Sequence, residues 1–335
     1  MKLKIAFAGF RHGHIKSLYE MARKHPELKI VAACEEDQPG AGSILEGIEL
    51  THDNFEHMLK STVCDIVAIG DYYGKRGFLL VRSLQAGKHV ILDKPICTSL
   101  TELDQAEKLA CEKGLKIGCQ LDLRQQPNLV RARQLIQSGQ LGEIVSISFG
   151  GQHPLMLDSR PKWYFENGKH GGTINDIAIH GIDIIEWITG LKFVKVNAAR
   201  NWNAIAKGCK FFKDAGQLML TMENGCGVLG DVSYIAPNSS GYSLPYYWNF
   251  MFWGAAGLIR ANLKDASVEL ARDGDKGISY ISPPAKMPPD YLDQFLLDIK
   301  GAPSELNTAV VLNISRKTLK IQEAADKAMT DVMLT

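Results

Sequence analysis

The spacing of apolar positions changes once along this chain, near residue 122. Before that point, short unbroken apolar runs alternate with amphipathic segments. Leu3–Ala8, Leu28–Cys34, Cys64–Gly70, His89–Leu92 and Leu115–Cys119 are rich in β-branched residues and bounded by turn residues, which predicts strands buried on both faces. Helical periodicity fills the intervals near residues 13–25, 53–61, 75–86 and 99–113. The last of these opens with Ser99 and carries Glu102 three residues on, a predicted capping box. Alternating β and α units with short connections predict an N-terminal α/β domain over residues 1–121, a doubly wound parallel sheet of the Rossmann type.

Beyond residue 122 the pattern predicts a helix at Pro127–Ser138, a strand near Glu143–Phe149, a polar and aromatic loop over 151–170, and a helix over 173–189. Strands follow at 192–201, 216–223, 226–235, 246–254 and 257–263, separated by turns such as Glu223-Asn224-Gly225. Two helices, about 289–300 and 307–329, come last. Residues 122–335 therefore read as an α+β domain with a large, mainly antiparallel open sheet.

The helix over 173–189 concentrates the polar chemistry. Asp176, His180, Asp183 and Trp187 recur at i, i+4, i+7 and i+11, in one narrow stripe on a helix otherwise made largely of isoleucine. A helix this apolar is buried, so its carboxylates and imidazole need partners or a polar cleft. A carboxylate one turn from a histidine, with a lysine supplied from elsewhere, is a proton-handling set. Two other readings compete: an imidazole satisfied by its neighbouring carboxylate, and a metal site. A metal needs at least three protein ligands; the nearby donors His153, His170 and Asp183 follow no metal-binding spacing, and no metal is expected.

Composition narrows the classes. At 335 residues and 45% apolar content, two cores are the expectation. A net charge of +1, from 38 basic and 37 acidic residues, argues against a nucleic-acid partner. The seven cysteines form no C-x-x-C pair and read as core residues of a reducing compartment, so the protein is expected in the cytoplasm. No apolar run approaches the roughly 18 residues of a spanning helix, so no membrane partner is expected.

Gly9-Phe10-Arg11-His12-Gly13-His14 stands where a dinucleotide fold places its phosphate loop. Of the G-x-G-x-x-G fingerprint the first glycine is present. Arg11 and His14 take the other two positions, and Gly13 is displaced by one. Arg11 and His12 are expected to bring positive charge to a pyrophosphate. After the second strand, Glu35 sits where a ribose-binding carboxylate belongs, and it would repel a 2′-phosphate. The cofactor expected is NAD(H), with NADP(H) left open. Lys94, in Asp93-Lys94-Pro95, follows the fourth strand at the carboxyl end of the sheet, where a lysine can hydrogen-bond a substrate oxygen.

With Asp93-Lys94-Pro95 and Gly171-Gly172-Thr173…Asp176-x-x-x-His180-x-x-Asp183 in hand, the chain resembles the Gfo/Idh/MocA family of NAD(P)-dependent sugar and cyclitol oxidoreductases. Ala86-Gly87-Lys88-His89-Val90, Leu135–Glu143 and Leu319–Ala325 match as well. The resemblance implies that Lys94, Asp176 and His180 are the catalytic set. It also implies that the segment after the third strand, Asp71 included, lies along the cofactor, and that subunits pair through their open sheets into a homodimer or homotetramer. Three departures stand out. The phosphate loop lacks two glycines, Asp93 replaces the usual glutamate, and Gly70-Asp71-Tyr72-Tyr73-Gly74-Lys75-Arg76 stands where the family has Thr-Pro-Asn-x-x-His.

The reading is an NAD(H)-dependent oxidoreductase of a sugar, cyclitol or related polyhydroxy compound. Arg160, Lys162, Trp163, Tyr164 and Asp183 are nominated as substrate contacts. The alternative is a dinucleotide-binding sensor or regulator that keeps the fold without turnover.

Overall fold

A computed structural model describes residues 2–334. The chain divides into two compact units. Unit 1 holds the residues through Leu121 with Asn167–Gly171 and Pro289–Arg316; unit 2 holds Asp122–Glu166, Gly172–Pro288 and the residues from Lys317 on.

Unit 1 opens with β1 (Leu3–Phe10), α1 (His14–Lys24), β2 (Leu28–Cys34), α2 (Gln38–Ala41), α3 (Phe55–Ser61), β3 (Ile66–Gly70), α4 (Tyr73–Gln85), β4 (His89–Leu92), α5 (Leu100–Lys113) and β5 (Ile117–Cys119). The five strands run parallel in the order β2-β1-β3-β4-β5. Ile5–Ala8, Ile66–Ile69 and Val90–Leu92 are all buried, which is why these strands show as unbroken apolar runs. The strand order reverses between β1 and β3, and ligands bind at the carboxyl ends of strands flanking such a switch point. Gly9, at φ +79°, lies there; a Cβ on it would sit 2.6 Å from Asp71 Cβ, so only glycine lets β1 and the β3 end come this close. The expected capping box is not made. Ser99 is the N-cap of α5 but gives no side-chain bond, and Glu102 is turned toward Gly77 of α4, where burial raises its pKa.

Unit 2 contains α6 (Pro127–Gln137), β6 (Ile144–Pro154), a π-helical turn (Ile174–Ala178) leading into α7 (Ile179–Thr189), then β7 (Phe193–Trp202), β8 (Ala215–Met222), β9 (Gly227–Ala236), β10 (Trp248–Gly254), β11 (Gly257–Asn262), β12 (Val268–Arg272) and β13 (Ser279–Ile281). Next in the chain come α8 (Tyr291–Ile299), which belongs to unit 1, α9 (Thr308–Asp326) and β14 (Thr330–Met333). The nine strands form one sheet, β13-β12-β11-β10-β6-β9-β8-β7-β14, antiparallel throughout except for the β6–β9 pair. β12, β13 and β14 escape sequence reading because they are short strands at or next to the sheet edges whose pairing partners, not their own periodicity, make them strands.

One face of this sheet buries Phe149, Trp248, Phe250 and Phe252. α7 packs on it closely: a Cβ on Gly181 would lie 2.3 Å from the Phe149 ring. The other face exposes Met219 (53%), Leu229 (59%) and Trp253 (43%). Among the described residues no helix is long and apolar enough to cross a membrane.

Candidate active site

In unit 1 the chemistry gathers at the carboxyl ends of β1–β4. Glu35 is buried, and its carboxylate accepts the N–H groups of Phe10 (2.5 Å) and Asp37 (2.8 Å). Burial raises its pKa, and the two N–H groups oppose that rise. Glu35 therefore ties the last residue of β1 to the turn after β2, and each oxygen keeps a second lone pair. Arg11 is ion-paired with Asp37 at 2.7 Å and lies over the Tyr72 ring. Asp71 accepts from the Tyr72 N–H (2.8 Å) and pairs with Lys75 (2.9 Å). Burial opposes the Lys75 charge, but Asp71 and Glu36 outweigh it and raise the lysine's pKa.

Asp93 is a hub. Its oxygens meet His12 Nδ1 at 2.5 Å, His14 Nδ1 at 3.1 Å and Arg76 Nη2 at 2.8 Å. Burial alone would raise the Asp93 pKa; Arg76 and the two imidazoles outweigh it and hold the carboxyl well below the usual range. Burial lowers the His12 pKa to about 4. Burial thus favours the neutral imidazole, whose Nδ1–H donates to the ionised Asp93, because an ionised carboxylate can only accept. This burial opposes the positive charge expected of His12 at a phosphate. The His12, His14 and Asp93 donor atoms lie within 4.8 Å of one another, a spacing that could suit a metal ion. Asp93 is already paired with a guanidinium, however, and that fixed positive charge opposes a cation at the same oxygens. Lys94 follows directly, is buried, precedes a cis bond to Pro95, and has its Nζ 6.0 Å from the Tyr73 ring centre.

In unit 2 the π-helical turn holds Asp176 just ahead of His180 on α7. Asp176 accepts a hydrogen bond from the Tyr234 hydroxyl, a partner on β9 that sequence reading did not find. His180 is 5% exposed; its ring meets Trp248 edge-on at 5.7 Å, and its Nδ1 lies 4.0 Å from Asp122 Oδ1. His153 on β6 sits among Tyr234, Tyr242, Tyr247 and Trp248, ring centres 4.9–5.9 Å away. Tyr234 and Trp248 in this aromatic cluster are themselves fully buried. None of these residues stands in a motif; each is one aromatic or acid on a separate strand or loop.

The nominated substrate contacts separate. Trp163 and Tyr164 are buried and packed on each other, ring centres 4.1 Å apart and planes tilted by 31°, so they are core residues. Lys162 is exposed. Arg160 donates to the carbonyls of Leu155 and Pro154 and lies over both Tyr164 and Tyr234, which brings it to the Asp176 partner. Asp183 is fully buried, with its carboxylate on Arg124 at 2.5–3.2 Å. Burial raises its pKa against the pull of Arg124. Its oxygens serve the α7 fold rather than a ligand, which corrects its nomination.

Comparison with known proteins gives this geometry a family. The model described as an oxidoreductase family with an NAD-binding Rossmann fold matches residues 3–121, and that of the GFO/IDH/MocA C-terminal domain matches 129–260. The chain belongs to the Gfo/Idh/MocA oxidoreductase family. Among curated relatives, D-xylose dehydrogenase of Paenarthrobacter nicotinovorans is 25% identical over 193 residues, 54% of this chain and 50% of that protein. The galactose/lactose metabolism regulatory protein GAL80 of Saccharomyces cerevisiae is 29% identical over 115 residues, 33% of this chain and 26% of that protein. The chain thus spans half or less of the length of these relatives. A levoglucosan dehydrogenase solved in complex with NADH superposes with a TM-score of 0.80 at 19% identity, covering 99% of both chains, which shows a shared Gfo/Idh/MocA fold.

Proposed function

We propose that this protein is an NAD(H)-dependent oxidoreductase that moves hydride between nicotinamide and a sugar, cyclitol or related polyhydroxy compound. One observation carries the reading: a helix built of isoleucine buries an imidazole, His180, one turn after a carboxylate, Asp176, that a tyrosine holds in place.

The unit 1 residues fit a dinucleotide. Gly9 gives the close backbone approach, and α1 begins at Gly13 and His14 with no side-chain cap, leaving its N-terminal dipole for a pyrophosphate. Gln120, after β5, buries an Oε1 that has no hydrogen-bond partner among the described residues, an acceptor suited to a carboxamide donor. Glu35 and Asp37 place carboxylates where a ribose is preferred over its 2′-phosphate, which supports NAD(H). When bound, the nicotinamide supplies the hydride acceptor or donor. In the oxidation direction His180 takes the hydroxyl proton, Asp176 stabilises the protonated imidazole, and Lys94 donates a hydrogen bond to the reacting oxygen. Seven cysteines, none in a disulfide, support a reducing compartment such as the cytoplasm.

A dinucleotide-binding regulator is the second reading, favoured by the glycine-poor loop and the similarity to a regulatory protein. Titration with NAD+ and NADP+, followed by turnover assays on D-xylose, levoglucosan and myo-inositol, separates them. Binding of NAD+ with no reduction by any sugar or polyol in a wider panel would overturn the enzyme reading.

A further inference from the structure

We infer that Arg76 is a positioning residue for Lys94, acting through the main chain of the Asp93-Lys94-Pro95 corner. Arg76 is fully buried on α4. The two N–H groups of its Nη1 serve three successive carbonyls, one of them shared, those of Asp93 (3.0 Å), Lys94 (2.6 Å) and Pro95 (3.1 Å). Its Nη2 donates to Asp93 Oδ2 (2.8 Å) and its Nε to the Asp71 carbonyl (2.7 Å). One planar fork therefore fixes the backbone on both sides of the Lys94 Cα and joins it to the end of β3. A lysine, a flexible point charge, cannot hold five acceptors in one geometry. The Tyr73 ring adds a second restraint, with Arg76 Cζ at 4.5 Å and Lys94 Nζ at 6.0 Å from its centre.

The three departures from the family pattern meet at this point. Arg76 ends the segment that replaces Thr-Pro-Asn-x-x-His, Asp93 replaces glutamate, and His14 replaces the third loop glycine; Asp93 touches both of the others. A shorter acid is matched by a longer base, so the corner is rebuilt rather than lost.

The inference rests on the role proposed for Lys94, and the test separates the two. Turnover is measured on whichever of D-xylose, levoglucosan and myo-inositol reacts fastest with NAD+, alongside melting temperature. Arg76→Lys should lower kcat about 10- to 100-fold, the scale of a small misplacement of a reacting group, with NAD(H) affinity little changed. In a Lys94→Ala background it should lower kcat no further, while the drop in melting temperature remains. Losses that multiply in the double variant, or no loss in Arg76→Lys, overturn the inference alone. Full kcat in Lys94→Ala overturns the role of Lys94, and the inference with it. If Arg76→Lys does not fold, Arg76→His is compared with Arg76→His/Asp93→Glu, which returns both positions to the family's residue types. Recovery of kcat in the second supports the inference, and a folded second variant no faster than the first overturns it. Without any turnover, acetylation of Lys94 relative to exposed Lys60, read by mass spectrometry, should rise in the Arg76 variant; an unchanged ratio counts against it.

Discussion

The Tyr234 hydroxyl donates a hydrogen bond to Asp176 Oδ2, joining buried residues 58 positions apart in sequence. The carboxylate ahead of His180 is thus oriented from the sheet by β9, as well as by its own helix. Tyr234→Phe keeps the ring and removes this donor. We expect a loss of about 1–3 kcal/mol in unfolding free energy, as for a buried acceptor losing its partner, together with a reduced kcat. Urea denaturation with kinetics on the same protein checks it; unchanged stability and rate would mean the bond has no consequence.

The catalytic assignments make separable forecasts. His180→Ala should lower kcat by about 10²–10⁴ while leaving cofactor affinity nearly intact. Lys94→Ala should damage kcat and also raise KM, because Lys94 bonds the ground-state oxygen too. Asp176→Asn should lower kcat with little change in shape. A His180→Ala protein that melts early but turns over normally would reduce the imidazole to a packing residue.

Cofactor choice is tested at Glu35. The wild type should bind NAD(H) more tightly than NADP(H) by calorimetry, and Glu35→Ala should narrow the ratio. Because Glu35 also holds the Phe10 and Asp37 N–H groups, the variant should melt earlier than the wild type. Tighter NADP(H) binding by the wild type would show that Glu35 does not read the ribose.

The buried imidazole of His12 makes stability depend on pH. Its folded pKa of about 4 lies below the ordinary 6.5, so between these values the unfolded chain binds the extra proton. Stability contributed by neutral His12 is therefore full above pH 6.5 and is lost as pH falls toward 4, at up to about 1.4 kcal/mol per pH unit. Asp93, held low by Arg76, adds a loss of the same sign only in stronger acid. His12→Gln should flatten the wild-type slope between pH 4 and 6.5, and parallel curves for the two proteins would contradict this.

The outer sheet face predicts assembly. Met219 and Leu229 expose apolar surface on paired strands, and Trp253 does so two strands from Leu229, so a second copy is expected to cover this face as a homodimer or homotetramer. Light scattering at micromolar concentration should give a multiple of the chain mass, and Met219→Glu with Leu229→Glu should bring it to the monomer. A monomeric wild type would leave that face uncovered.

The sequence by itself determined the elements whose pattern is local and strong. The five parallel strands are buried on both faces, so they appear as unbroken apolar runs, and the helices between them carry one apolar stripe each. Lys94 and the Asp176–His180 spacing were legible because both lie within one short motif. Tertiary structure decided the rest. Tyr234, Asp122, Arg76 and the aromatic group around His153 come from separate strands, loops and helices, and no local period records which of them will meet. Trp163 and Tyr164 look like ligand contacts in a polar loop, yet packing against each other takes them into the core. Asp183 looks like part of the polar stripe until Arg124, 59 positions away, is seen to hold it. Burial and long-range pairing fix which polar residues remain available, and both depend on neighbours that only the folded chain brings together.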